Sequence, residues 1–195
     1  MQFSRRLTII APNNARHPVR PKFVKARVLT TQSKSDIMQG TLYIVATPIG
    51  NLEDMTYRAV RILQEVDLIA AEDTRHTRKL LSHFGISTPR VSYYREKEAR
   101  KSEELISKMQ AGTSIALVSD AGTPAISDPG AILVKQAREA SLEIVPIPGA
   151  CALSAAVSCA GLEPGSFLFL GFAPPKSGQR RKFLQEVSSS PFPLV

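Results

Sequence analysis

The chain has 195 residues, of which 43% are hydrophobic and 22% are charged, and its formal net charge is +8. This length accommodates one folded domain, or one domain and part of a second, and the composition argues against a largely disordered chain. No apolar run approaches the roughly 20 residues that span a bilayer, so we expect no membrane segment and no membrane partner.

The first 37 residues carry almost all of the net charge. They contain eight Lys or Arg residues and one acidic residue, and they show no sustained helical or strand periodicity. We therefore predict that residues 1–39 form a basic, disordered leader outside the fold. Three interpretations stay open: an extension upstream of a start at Met38, an organellar transit peptide, or a basic RNA-binding arm. We expect a cytoplasmic protein, or an organellar one if this segment is a transit peptide.

From residue 40 onward, predicted strands and helices alternate. In chain order, the patterns predict a strand at 41–46, a helix at 55–66 with Asp54 as its N-cap, a strand at 67–71, a helix at 74–84, a strand at 90–94, a helix at 101–111, a strand at 114–119, a helix at 130–140 and a strand at 142–147. Nearly continuous apolar strands between helices are typical of a parallel sheet covered on both faces. We therefore predict an α/β domain at residues 40–149, with ligands bound beyond the carboxyl ends of its strands.

The character of the chain changes after residue 149. A small-residue helix is predicted at 150–160, a strand at 167–172, a helix beginning in the basic stretch 176–182, and the start of a strand at 193–195. These elements are too few to bury a core of their own. We interpret residues 150–195 as an incomplete second α/β domain that is cut short.

The two cysteines, Cys151 and Cys159, lie eight residues apart in a predicted helix. Eight residues rise by about 12 Å, which is too far for a disulfide. Two cysteines are also too few for a zinc cluster, so we expect no metal site. We predict two small buried thiols in a reducing compartment.

The segment after the fourth strand is the most informative loop. It reads Ser-Asp-Ala-Gly-Thr-Pro-Ala-Ile-Ser-Asp-Pro-Gly at residues 119–130, with no Lys or Arg and without the glycine patterns of nucleotide-binding loops. A polyphosphate ligand would lack cationic partners there. A zwitterion with its own positive sulfur suits a loop of backbone N–H groups and carboxylates better. The alternative is an ordinary connecting loop, which proline and glycine also favour.

Five motifs in order resemble the ribosomal RNA small subunit methyltransferase I family of the tetrapyrrole methylase superfamily. They are Leu-Tyr-Ile-Val-Ala-Thr-Pro-Ile-Gly-Asn-Leu (42–52), Ala-Glu-Asp-Thr-Arg (71–75), the loop at 119–130, Pro-Gly-Ala-Cys-Ala-Leu (148–153) and Gly-Phe-Ala-Pro (171–174). The resemblance implies two α/β domains with S-adenosyl-L-methionine in the cleft between them. It also implies 2′-O-methylation of a cytidine ribose in 16S-type small-subunit ribosomal RNA, by a protein that is usually a homodimer.

The same resemblance implies seven cofactor-binding residues. They are Pro48, Ala121, Gly122, Thr123, Ile126, Cys151 and Ala152. The cysteine stands where the superfamily commonly has Thr or Ser. Because the family proteins continue well past residue 195, the resemblance also implies that part of the cofactor site lies beyond this sequence.

Methyl transfer to a hydroxyl requires alignment of the reacting atoms, and a general base can take the hydroxyl proton. The candidate catalytic residues are Glu72 and Asp73, which end the second strand; the alternative is that they cap the following helix. The helix then presents Arg75, His76, Arg78 and Lys79, which could meet RNA phosphates. Tyr93, Tyr94 and Arg95 end the third strand and could stack on a base, or pack at the sheet edge.

Two other functions stay open. A related methylase acting on a tetrapyrrole or a protein would share the superfamily motifs. An inactive fragment that only binds RNA through the basic leader would lose its affinity steeply with added salt.

Overall fold

A computed structural model describes residues 39–162 and 165–195, together with two short strands in the first segment. These strands, β1 (Thr8–Ile10) and β2 (Phe23–Lys25), pair antiparallel. The chain divides into two units, residues 1–36 and residues 37–195. The remainder of the predicted leader lies outside the described residues, and its disorder stays a prediction.

The second unit is built on a five-stranded, fully parallel sheet, as predicted. Its strands are β3 (Leu42–Val45), β4 (Leu68–Ala71), β5 (Arg90–Ser92), β6 (Ile115–Val118) and β7 (Ile144–Ile147). The order across the sheet is β5-β4-β6-β3-β7. The first strand of this unit, β3, therefore lies between two strands that come much later in the chain.

Four helices connect these strands, close to the predicted positions. They are α1 (Tyr57–Glu65), α2 (Thr74–His83), α3 (Glu98–Gln110) and α4 (Ala131–Glu139). The prediction that Asp54 caps α1 is wrong. Asp54 lies in a short 3₁₀ turn, Leu52–Asp54, and the Oγ1 atom of Thr56 instead accepts a hydrogen bond of 3.1 Å from the Ala59 N–H.

The sheet buries a different apolar cluster on each face. Alternate residues of one strand point to opposite faces, so on β4 Ile69 and Ala71 join the cluster with α1 and α2, whereas Ala70 joins the cluster with α3 and α4. All four residues of β6 are buried. Each large aliphatic side chain buried in this way contributes about 1.5–3 kcal/mol. The sheet therefore fixes the carboxyl ends of β3, β4 and β6 side by side.

The segment after β7 is far less buried. Helices α5 (Ala152–Cys159) and α6 (Ser177–Val187) contain no fully buried residue, and Phe172 is 86% exposed. The predicted strand at 167–172 is reduced to one parallel bridge between Leu168 and Leu194, and Leu194 lies in the predicted start of a strand at 193–195. The domain boundary at residue 149 stays a prediction.

The prediction of two buried thiols is wrong. Cys151 is half-buried and Cys159 is exposed, because α5 packs no face into the core. Both thiols are free. Among the described residues, no helix combines the length and apolarity needed to cross a membrane.

Candidate functional site

Two loops far apart in sequence meet at the carboxyl end of the sheet. Because β3 and β6 are neighbours, Thr47 and Gly122 pair through two backbone hydrogen bonds of 2.9 and 3.0 Å. The Oγ1 atom of Thr47 also donates to the Ser119 carbonyl at 3.2 Å. The loops at 46–52 and 119–130 therefore form one structure, at the edge of the sheet where the sequence predicts ligand binding.

The loop at 119–130 holds an unusual backbone conformation. Ala125 and Ser127 both have a φ of +66°, a region that costs roughly 1–2 kcal/mol for a residue with a Cβ atom. Two charged side chains hold it there. The Nη2 atom of Arg95 donates to the Ser127 carbonyl at 3.1 Å, and the Oε1 atom of Glu98 accepts from the Gly130 N–H at 2.8 Å. The loop is thus built into the fold rather than being a simple connection.

The predicted cofactor residues lie on three segments that hydrogen bonds join to one another. Thr123 donates its hydroxyl to the Ala150 carbonyl at 3.2 Å, which joins Ala121, Gly122 and Thr123 to the turn that precedes Cys151 and Ala152. Ile126 is 39% exposed on the same loop. Pro48 follows the bridging residue Thr47 on the other loop.

Gly122 is required where these loops approach each other. Its φ is +83°, and a Cβ atom placed there would lie 3.3 Å from the Ile49 Cγ2 atom. Glycine permits this close approach of the backbones, and both backbone groups of Gly122 pair with Thr47.

Four carboxylates surround the end of β4. The Oδ1 atom of Asp120 accepts from the Asp73 N–H at 3.1 Å, and the Oε2 atom of Glu72 lies 3.5 Å from the Asp120 nitrogen. Burial raises the pKa of Glu72, and the charges of Asp120 and Asp128 raise it further. Burial likewise raises the pKa of Asp128. This concentration of acid favours a positively charged group nearby.

Asp73 is electrostatically different from Glu72. It is the N-cap of α2, and its Oδ1 atom accepts from the Arg75 N–H at 2.8 Å. That hydrogen bond lowers the pKa of Asp73, and the Arg75 side chain lowers it further. The capping interpretation is confirmed for Asp73, whereas Glu72 caps no helix.

Tyr93, at the end of the third strand of the sheet, is a buried packing residue. Tyr93 is 1% exposed, and its hydroxyl contacts Ser102 Oγ at 2.8 Å and Glu98 Oε1 at 3.1 Å. Of the two interpretations of Tyr93, edge packing is therefore confirmed and base stacking is wrong. Sequence reasoning missed Glu98, since an acidic residue in the first turn of a helix is ordinarily a solvated one.

The residues present fit a small zwitterion that carries a sulfonium. The loop at 119–130 contains no Lys or Arg, so it supplies backbone donors for a carboxylate without a cation that would repel positive sulfur. The nearby acids Glu72, Asp120 and Asp128 suit an ammonium or sulfonium.

Comparison with known proteins gives a consistent family. The family model of tetrapyrrole (corrin/porphyrin) methylases matches residues 41–195. The chain is 58% identical over 149 residues to a ribosomal RNA small subunit methyltransferase I from Synechocystis, covering 76% of this chain and 53% of the relative. It is 53% identical over 161 residues to the protein of the same name from Escherichia coli O157:H7, covering 83% and 56%. The chain thus spans about half the length of the curated relatives it matches.

Solved structures share the fold at low identity. A conserved hypothetical protein from Aeropyrum pernix K1 superposes with a TM-score of 0.55 at 20% identity, covering 67% of this chain and 46% of that one. Uroporphyrin-III-C-methyltransferase from Thermus thermophilus superposes with a TM-score of 0.50 at 22% identity, covering 66% and 55%.

Proposed function

Because the chain belongs to the tetrapyrrole methylase superfamily, within the ribosomal RNA small subunit methyltransferase I family, we propose that it serves S-adenosylmethionine-dependent methylation of small-subunit ribosomal RNA. The finer proposal is transfer to the 2′-hydroxyl of a cytidine in 16S-type RNA. One observation supports the proposal most directly. The hydrogen bond between Thr123 and Ala150 joins the cation-free loop at 119–130 to the turn before Cys151.

Seven residues would hold the cofactor. Backbone groups of Ala121 suit its carboxylate and ammonium, Gly122 lets the two loops approach closely, and the side chain of Ile126 supplies an exposed apolar surface. The other four residues are Pro48, Thr123, Cys151 and Ala152. When bound, S-adenosylmethionine supplies an electrophilic methyl group on a positively charged sulfur.

Glu72 is the better candidate for the general base. A base works best when its pKa lies near the operating pH, and burial raises the pKa of Glu72. Its carboxylate would take the proton that the acceptor hydroxyl releases. Asp73 has a lowered pKa and holds the start of α2, so its contribution would be to orient this corner of the site.

The proposed partners follow the family. Small-subunit ribosomal RNA would be the substrate, and a second copy of the protein would complete a homodimer. The RNA-binding cations would be those of α2 and of the basic leader.

Calorimetric titration of this chain with S-adenosylmethionine is the first test. We expect saturable binding that weakens in Thr123→Val, because that variant loses the hydroxyl bonded to Ala150. Thr113→Val, in the turn before β6 and so at the opposite end of the sheet, is the matched control and should bind as the parent does. A folded parent chain that takes no cofactor would contradict the proposal.

The second test identifies the acceptor. Radiolabelled methyl transfer to ribosomal RNA, followed by digestion to nucleosides, should yield 2′-O-methylcytidine. Glu72→Gln should lower turnover by roughly 100- to 10,000-fold without weakening cofactor binding. Asp73→Asn keeps a good helix cap and should lose less. Label that appears in a tetrapyrrole or a protein instead would support the related-methylase alternative.

A further inference from the structure

A cavity of about 290 Å³ lies between the loop at 46–52 and helix α2. Its wall consists of Thr47, Pro48, Gly50, Leu52, His76, Thr77, Lys79, Leu80, Ser119 and Asp120. Of the seven predicted cofactor residues, only Pro48 belongs to this wall. The cavity therefore adjoins the candidate cofactor site, and Ser119 and Asp120 connect it directly to Ala121, one of the predicted cofactor residues.

Some basic residues of α2 line this cavity and others do not. His76 and Lys79 are exposed and line it, and within residues 39–162 and 165–195 neither forms a salt bridge. Arg75 is instead paired with Asp73 at 3.4 Å, and Arg78 is not part of the wall. Two of the four basic residues that the sequence places on this helix thus belong to one concave surface.

The rest of the wall has the mixed character of a binding site. Leu52, Leu80 and Pro48 supply apolar surface, and Asp120 supplies a carboxylate. Thr77 is 2% exposed, and its hydroxyl has no hydrogen-bond partner in the part of the chain that the structure describes. That oxygen has less than 1 Å² of accessible surface, so it is not a contact point for a ligand in the cavity.

We propose that this cavity holds one ribonucleotide of the acceptor RNA. Lys79 and His76 would bind its phosphate, the apolar wall would contact its base or ribose, and the Asp120 carboxylate would accept a hydrogen bond from a ribose hydroxyl. The Lys79 ammonium makes the cavity less suited to a sulfonium than the cation-free loop at 119–130. Its volume of about 290 Å³ lies just below the roughly 300–1,000 Å³ typical of ligand sites, which suits a ligand no larger than a single nucleotide. The inference rests on the proposed function and deepens it.

The test compares neighbouring cations on the same helix. Binding of a short, cytidine-containing single-stranded RNA to the 195-residue chain is measured across a salt series for the parent, Lys79→Ala and Arg78→Ala. Each phosphate contact on a single strand contributes about 0.7 to the slope of log affinity against log salt. We expect Lys79→Ala to lower the slope by about that amount and Arg78→Ala to leave it unchanged. The basic leader is common to all three proteins and cancels in the comparison.

Cofactor titration of the same proteins separates the two proposals. Unchanged S-adenosylmethionine affinity in Lys79→Ala, together with the lowered slope, supports the cavity as an acceptor site. Equal RNA slopes for Lys79→Ala and Arg78→Ala would overturn the cavity assignment, and cofactor binding by the parent would still support the proposed function. A parent that binds RNA through Lys79 but takes no cofactor would overturn the proposed function alone.

Discussion

The Oε1 atom of Glu98 accepts a hydrogen bond of 2.8 Å from the backbone N–H of Gly130, 32 residues further along the chain. The same oxygen accepts from the Ile132 N–H at 3.2 Å and from the Tyr93 hydroxyl at 3.1 Å. One buried carboxylate in the first turn of α3 therefore fixes the end of the candidate cofactor loop and the start of α4.

Glu98→Ala should destabilise the protein and loosen this loop. The change leaves three donors without their acceptor, and a lost hydrogen bond to a charged group costs about 1.5–3 kcal/mol. We expect the free energy of unfolding to fall by about 2–4 kcal/mol in urea titrations, with weaker S-adenosylmethionine binding by the folded fraction. Glu103→Ala, at an exposed position of the same helix, is the control and should change neither. Intact cofactor affinity in Glu98→Ala would show that this residue supports stability alone.

Glu72→Gln should be more stable than the parent protein at higher pH. The raised pKa of Glu72 means that the folded state holds its proton more readily than the unfolded chain does. The stability that this proton confers is complete at low pH and is lost as pH rises through the folded-state pKa. Gln carries no charge, so thermal unfolding of the two proteins should coincide at low pH and diverge above it, with the variant higher. A parallel shift by Glu103→Gln would remove the burial of Glu72 as the cause.

Cys151 should react faster than Cys159 with a thiol reagent at neutral pH. The backbone N–H of Ser154, at the start of α5, lowers the pKa of the Cys151 thiol and increases its thiolate fraction. Peptide mapping after iodoacetamide treatment distinguishes the two sites within one protein. S-adenosylmethionine should slow modification of Cys151 and leave the exposed Cys159 unchanged. Labelling of Cys151 that the cofactor does not slow would remove it from the cofactor site.

Thr77→Val should raise the stability of the protein. The two side chains have similar shapes, and the change removes a buried hydroxyl that has no partner among the described residues. Such a removal is worth about 1 kcal/mol. Differential scanning calorimetry measures the gain. Thr88→Val is the contrast, because the Thr88 hydroxyl donates to the Leu63 carbonyl at 2.6 Å and its loss should destabilise.

Local patterns predicted the elements and the edge of the sheet that carries the site. The four buried residues of β6 form a continuous apolar run that the sequence displays directly. Strand order was not predictable in this way, because β3 and β6 pair through contacts about seventy residues apart that no local pattern records. The Asp54 error has the same origin as many helix-boundary errors: Asp54 and Thr56 are both good caps, and the preceding 3₁₀ turn decides between them.

Roles that depend on burial also escaped prediction. Glu72 and Asp73 are adjacent acids in sequence, and only the fold gives them opposite pKa shifts. The cavity beside α2 likewise could not be predicted, because sequence alone does not show that Lys79 lines it and Arg78 does not.

The position of β3 has a consequence for synthesis on the ribosome. Both of its partners, β6 and β7, are made later, so β3 cannot pair when it first emerges. At about 5–20 residues per second, the 73 residues from Val45 to Val118 take roughly 4–15 s to appear. During that interval an apolar strand waits without its neighbours, which makes the nascent chain a natural client for a chaperone that shields extended apolar segments.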